Sequence, residues 1–212
     1  RASELDANAF SARYHLGLAL LRLGDLDAAH GEFSRAVALN EEQPLAFYHL
    51  GLTLSRLQRY ADAVGAYRRA VELDAEMPSA YYQWANAEMR QGHREDGAAL
   101  LDKFRSVKAR KRVRQAVARA RQGKAGRAAQ LLERALEMDR ENSGALHVLA
   151  LLAFAEGRAE DAARYARQYV ELRPGADDMQ VILGAALRRS GDAEGATEAL
   201  SHAADGEAAY PE

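Results

Sequence analysis

Between Lys103 and Arg127 the chain places eleven Lys or Arg and no Asp or Glu. Cations at that density bind anions, through charge-assisted hydrogen bonds and long-range attraction. On a helix, Arg110 and Arg114 share a face, Lys111 lies beside them, and Lys108 and Arg112 form a neighbouring row. Lys108, Arg110, Lys111, Arg112 and Arg114 are therefore the candidate anion-binding stripe. The competing account is a solvated hinge helix whose long stems cover apolar neighbours. Outside this run the chain carries a net charge of −13, against −2 for the whole, an asymmetry that solubility does not require. A site for single-stranded nucleic acid would interleave aromatics with the cations. Only Phe104 does so here, which counts against nucleic acid as the partner.

Other chemistry is sparse. Gly123–Arg127, GKAGR, lacks the glycine spacing and the Lys-Ser/Thr of a phosphate loop. His-Glu-x-x-His, Gly-x-Ser-x-Gly and Gly-x-Gly-x-x-Gly do not occur, and no cysteine is present to form a disulfide or a thiolate metal site. His15 and His49 recur 34 residues apart and form the one histidine pair that invites a metal, but no carboxylate stands beside both. Most carboxylates fall in turns and on outer helix faces, where solvation explains them. No catalytic group, metal or cofactor is expected, and the reading is of a chain that is not an enzyme. The longest apolar run, Ala145–Ala155, is too short to span a bilayer, and no signal peptide is visible. Cysteine usage leaves the compartment open; the expectation leans to the cytoplasm over the periplasm.

The elements that must hold these residues are helices. Ala, Leu, Arg and Glu dominate, and none of the prolines at 44, 78, 174 and 211 needs to sit inside a helix. The sequence also repeats. GLALLRLGDLDAAHGEFSRAVALN from Gly17 returns as GLTLSRLQRYADAVGAYRRAVELD from Gly51. One small-residue column reads Gly17, Gly51, Ala85, Ala116, Ala150, Gly184, and a second reads Ala29, Ala63, Gly97, Ala128, Ala162, Ala196. A turn column reads Gly24, Gln58, Gly92, Gly123, Gly157, Gly191, and a bulky one Phe33, Tyr67, Leu101, Leu132, Ala166, Leu200. These are the marks of two helices crossing closely at small residues, with a bulky side chain filling the space beside them. Such a pair cannot bury its apolar face alone, so pairs stack.

The pattern resembles the tetratricopeptide repeat, best in the second repeat at Phe47, Leu50, Gly51, Leu54, Ala63, Tyr67 and Ala70. Six repeats begin near Phe10, Pro44, Pro78, Ala109, Ser143 and Asp177. The resemblance implies an all-α, right-handed superhelical solenoid of antiparallel helix pairs. Departures occur at Phe104 and Tyr169, which replace a second-helix alanine, and at Arg112, Gln115 and Arg119, which take apolar columns of repeat four. Ala2–Asn8 aligns with the end of a second helix, and Pro211 with Pro44 and Pro78. Residues 1–9 therefore read as the end of a preceding repeat or a cap, and the whole as a segment of a longer bacterial protein.

Gly92 and Gly123 are 31 residues apart, not 34, and no Gly or Pro lies between Ala98 and Gln122. An extended helix over about 98–122 is expected to join two three-repeat blocks, 10–107 and 108–212. In this family the first helices line a concave groove that takes a peptide or a helix. The resemblance thus implies a protein-interaction scaffold whose groove holds Tyr14, Tyr48 and Tyr82, then His49, Leu18, Leu52 and Asn86, with Arg22, Arg56 and Arg90 at its edge. Apolar anchors and acidic groups would suit it. Members that clamp a C-terminal carboxylate do so with Lys and Asn; the matching Tyr14, Leu18, Ser79 and Gln83 argue against that ligand. His147, Leu151, Phe154, Val181 and Ala185 offer a second, apolar surface. Binding of a polyanion through 103–127, and self-assembly into homo-oligomers, are the alternatives.

Overall fold

A computed structural model describes residues 2–208, and side chains from 7 to 204. Pro211, used in the reading of the termini, lies outside the described residues. Among these there are eleven helices and no strands. In order they are α1 (Ala2–Leu23), α2 (Leu26–Leu39), α3 (Pro44–Arg56), α4 (Tyr60–Leu73), α5 (Pro78–Gln91), α6 (Arg94–Arg121), α7 (Ala125–Met138), α8 (Ser143–Ala155), α9 (Ala159–Leu172), α10 (Asp177–Ser190) and α11 (Ala193–Ala208). Helix boundaries follow local chemistry. Pro44 and Pro78 open α3 and α5, where a missing N–H costs nothing. Asp25 and Asn142 cap α2 and α8 by accepting from the backbone N–H of Ala28 (3.2 Å) and Ala145 (3.0 Å). The whole turn column has positive φ, including the one non-glycine, Gln58 (φ 61).

Two compact blocks result, Arg1–Val107 and Lys108–Glu212. In the first, α1 pairs with α2 and α3 with α4, and each second helix packs on the first helix that follows it. In the second, α8 pairs with α9 and α10 with α11, with α7 packing on α8 and α9 on α10. These are the stacked helix pairs of a solenoid. The small and bulky columns meet as the spacing implies. A Cβ on Gly51 would stand 2.7 Å from the Tyr67 ring, and one on Gly17 2.9 Å from Phe33. Both rings are fully buried. Residues 2–9 run into the rest of α1 without a break.

The extended helix is α6, 28 residues long. It begins at Arg94, ahead of the expected start, because it includes all of repeat three's second helix before becoming the first helix of repeat four. Its two halves bury different faces. Gly97, approaching Met89 and the Ala85 carbonyl of α5, shares one face with Leu101 and Phe104. Ala109 and Ala116 join the core of the second block, and Val113 packs against it. At 100° per residue these faces lie about 120° apart, so α6 has no single apolar stripe.

Candidate functional site

The first helices of block one carry the tyrosine column, but its members differ. Tyr14 is half-buried in an aromatic group: Phe10 stacks on it at 5.7 Å, and Phe33 and His49 meet it edge-on. Burial pushes its hydroxyl above the ordinary tyrosine value. Tyr48 is half-buried, 6.2 Å from Tyr67 and 5.1 Å from His49. Tyr82 is the most open of the three, 45% exposed with one side on Phe104. Leu18 and Leu52 are half-buried, as is Asn86; Arg22, Arg56 and Arg90 are exposed. A cleft of about 380 Å³ between α3 and α5 brings together Leu52, Arg56, Asn86 and Arg90, with Tyr60 and Gln83 completing its wall. Sequence reasoning missed Tyr60, the first residue of the second helix α4, because it took the groove from first-helix columns alone.

His15 and His49 sit in different surroundings. His15 is exposed beside Tyr14, whereas His49 stacks on Phe33 at 5.8 Å and its Nδ1 lies 2.8 Å from the Leu45 carbonyl oxygen. A carbonyl only accepts, so Nδ1 carries the proton and donates. Burial holds the His49 imidazole below its ordinary value, against the pull of that hydrogen bond. The ligand-type cluster the structure does gather is Glu88, His93 and Asp96, with ligand atoms within 4.8 Å of one another. Both Glu88 oxygens are engaged: Oε1 accepts from Trp84 Nε1 at 2.9 Å, and Oε2 lies 2.8 Å from His93 Nδ1. Burial alone would raise the Glu88 carboxyl; the His93 and Trp84 hydrogen bonds outweigh it, and the value is lowered. The Glu88–His93 contact ties α5 to the turn that precedes α6.

The basic run is distributed over α6 and the start of α7. Arg110, Lys111 and Arg114 are exposed, while Lys108 and Arg112 are half-buried. Arg112 turns its Nη1 to within 2.7 Å of Met138 Sδ, and Arg105 pairs with Asp102 at 2.7 Å. In block two, Leu151 (40%) and Val181 (47%) are exposed, Arg189 covers Phe154 at 4.1 Å, and His147 packs on Tyr169 at 5.5 Å. Ala185 is half-buried on α10.

At the start of block one a single acid holds two cations. Glu32, nearly buried, accepts from Arg13 at 3.0 Å and Arg35 at 2.6 Å. The Arg13 hydrogen bond, with Arg35, holds its carboxyl below the ordinary range despite desolvation. A depressed folded value means stabilisation that is full above the unfolded carboxylate range and is lost as pH falls through the lowered value. An acid titration of unfolding is thus expected to show a smaller acid-side stability loss in Glu32→Gln than in the parent chain. Parallel curves would remove Glu32 from that role.

The profile of the tetratricopeptide repeat matches residues 1–38, 14–78, 113–177 and 147–212. The chain belongs to the tetratricopeptide repeat family. The unmatched stretch of this TPR chain, 79–112, contains the place where α6 replaces a loop. No curated protein matches the chain. Among solved structures it is similar to YrrB, described as a TPR protein with an unusual peptide-binding site, at 21% identity over 83% of this chain and 92% of that one, TM-score 0.46. It is similar to the thermophilic TPR protein TTC0263 of Thermus thermophilus at 24% identity, over 84% and 99% of the two chains, TM-score 0.43. MamA follows at 17%, over 95% and 93%, TM-score 0.42. TPR repeats mediate protein–protein interaction. Among the described residues no helix is long and apolar enough to cross a membrane.

Proposed function

We propose that this TPR chain is a non-catalytic interaction scaffold that takes a peptide or helix on the face formed by α1, α3 and α5. The observation that carries the reading is the cleft between α3 and α5, where an apolar wall (Leu52) meets two guanidinium edges (Arg56, Arg90) and an amide (Asn86); the exposed Tyr82 lies one helical turn before Asn86 on α5. An open aromatic beside paired cations suits a segment with an apolar anchor and acidic neighbours. Tyr82 is the anchor point of this reading; Tyr14, Tyr48 and His49 pack among themselves on α1 and α3, with Leu18 and Arg22 continuing the face along α1.

The test is selection of binding peptides from a displayed library on the full chain, followed by affinity measurement on variants. Tyr82→Ala is expected to weaken binding by about 2 kcal/mol, the size of an interface anchor, with helix content unchanged. Arg56→Glu with Arg90→Glu is expected to weaken acidic peptides most, and more so at low salt. Selected peptides that bind all variants as they bind the parent chain would refute the reading.

A further inference from the structure

Repeat four opens block two, as repeat one opens block one, and the two can be compared column by column. Arg13, Glu32 and Arg35 of repeat one correspond to Arg112, Leu131 and Arg134 of repeat four. In repeat one the acid sits between its two arginines. In repeat four the acid's place is taken by leucine, and Arg112 has turned away to Met138. Two further cations enter nearby. Arg119 occupies a column that is apolar and buried in repeats two, five and six (Leu54, Ala153, Leu187), and Arg127 one that holds Asp62, Asp96 and Asp161 elsewhere.

Arg119, Arg127 and Arg134 surround a cleft of about 230 Å³ with Gln130 and half-buried Leu131. On α7, residues 127, 130, 131 and 134 follow the i, i+3, i+4, i+7 spacing of one helix face, beside the buried face of Ala128, Leu132 and Ala135. All three arginines are exposed. Among the described residues no acid pairs with any of them; Arg119 reaches only the amide oxygen of Gln122, at 3.4 Å. Elsewhere Arg69 on α4 pairs with Glu72 and Arg164 on α9 with Asp161, and the turn residues Arg59 and Arg158 pair with Asp62 and Asp161.

We infer that this cleft between α6 and α7 is a second docking site, distinct from the tyrosine face, for an acidic protein segment that carries an apolar residue between its carboxylates. Three guanidiniums at one opening repel each other and are matched by two or more carboxylates, each able to take a forked pair of hydrogen bonds. The floor decides against a bare polyanion. Leu131 presents apolar surface at the centre of the charges, where a nucleic-acid backbone would leave it uncovered and an aliphatic side chain would bury it. In repeat one the chain supplies its own acid; here the partner supplies it.

The experiment uses the full chain and fluorescence anisotropy of a labelled peptide with two Asp-Leu-Glu segments. The comparison probes are its Asn-Leu-Gln and Asp-Gly-Glu counterparts and a single-stranded oligothymidylate. The acidic leucine peptide is expected to bind at least about tenfold tighter than the other three, with affinity falling as salt rises. Arg127→Glu with Arg134→Glu is expected to lose about tenfold or more. Leu131→Glu, which restores the arrangement of repeat one and fills the cleft from within, is expected to do the same. Arg140→Glu with Arg173→Glu, an equal charge change on exposed loop positions, should bind as the parent does. Circular dichroism confirms that each variant is folded. The Arg127 and Arg134 substitutions, both at exposed positions, carry the test if Leu131→Glu does not fold. Failure of the acidic peptide to bind, equal affinity for its amide counterpart, equal or tighter binding of the oligothymidylate, or parent-like affinity in the Arg127/Arg134 reversal each overturns the inference. Loss in the Arg140/Arg173 control as large as in the reversal does so too.

Discussion

Tyr67→Ala is expected to destabilise block one by about 3–5 kcal/mol, the range for removing a fully buried aromatic side chain. Tyr67 is wholly inaccessible and sits over the Gly51 backbone of the facing helix. Its removal leaves a cavity that α3 and α4 cannot close, because Ala63, Ala66 and Ala70 already set their approach at small residues. A direct check is chemical unfolding of the variant beside Gly51→Leu/Tyr67→Ala, in which the bulk is moved to the other helix. Partial recovery in the double variant would identify the lost volume as the cause. The phenol adds a pH signature. Its hydroxyl lies 3.1 Å from Ser55 Oγ, and burial pushes its pKa up to about 12. Since the folded value is raised above the ordinary value near 10, the contribution is full below that value. It is lost as pH rises through the folded one. Tyr67→Phe should abolish that alkaline loss. A cost for Tyr67→Ala under about 1 kcal/mol would mean the ring is not the keystone of its pair.

Lys111→Pro is expected to cost about 3 kcal/mol or more, with a measurable fall in helix content. Lys111 is exposed, so its side chain contributes little, and the effect isolates the backbone. Proline there removes the N–H that an α-helix bonds to the carbonyl four residues earlier and presses its ring into that carbonyl, which belongs to Val107. It also drives Arg110 out of the helical region. The distortion falls between Val107 and Ala116, both buried, with Ala109 fully so, leaving no slack to absorb it. Thermal unfolding followed at a helical wavelength checks it. A loss below about 1 kcal/mol would show that α6 is interrupted at this point in solution.

The repeat columns were legible in the sequence because each records a steric demand. Glycine at 51 is required by a ring 2.7 Å from its would-be Cβ, and the turn glycines are favoured by positive φ. The continuity of α6 was legible as a deficit: residues missing where a loop belongs, and no breaker in their place. What could not be read depends on chain reversal. Glu88, His93 and Asp96 meet because the left-handed turn at Gly92 folds one helix end against the next helix start. Arg119 and Arg127 are brought to one cleft across Gly123 in the same way. Nor does the recurrence of tyrosine at 14, 48 and 82 say which ring stays open. Phe10 and His49 shield the first; among the described residues the ring contact of the last is with Phe104, on one side.

In most of this chain evolution can change length cheaply. A residue added or lost in the loops after Leu39, Leu73 or Leu172 alters a surface connection and leaves every helix in phase. The middle of α6 responds differently to a change of length. Removing one residue between Phe104 and Ala109 would turn all downstream side chains of that helix by about 100° against the upstream ones. The helix thus carries a phase: Gly97 is set for α5, and Ala109 and Ala116 for the core of the second block. A substitution at its exposed arginines and lysines leaves that phase untouched, whereas an insertion or deletion resets it for every residue that follows in the helix.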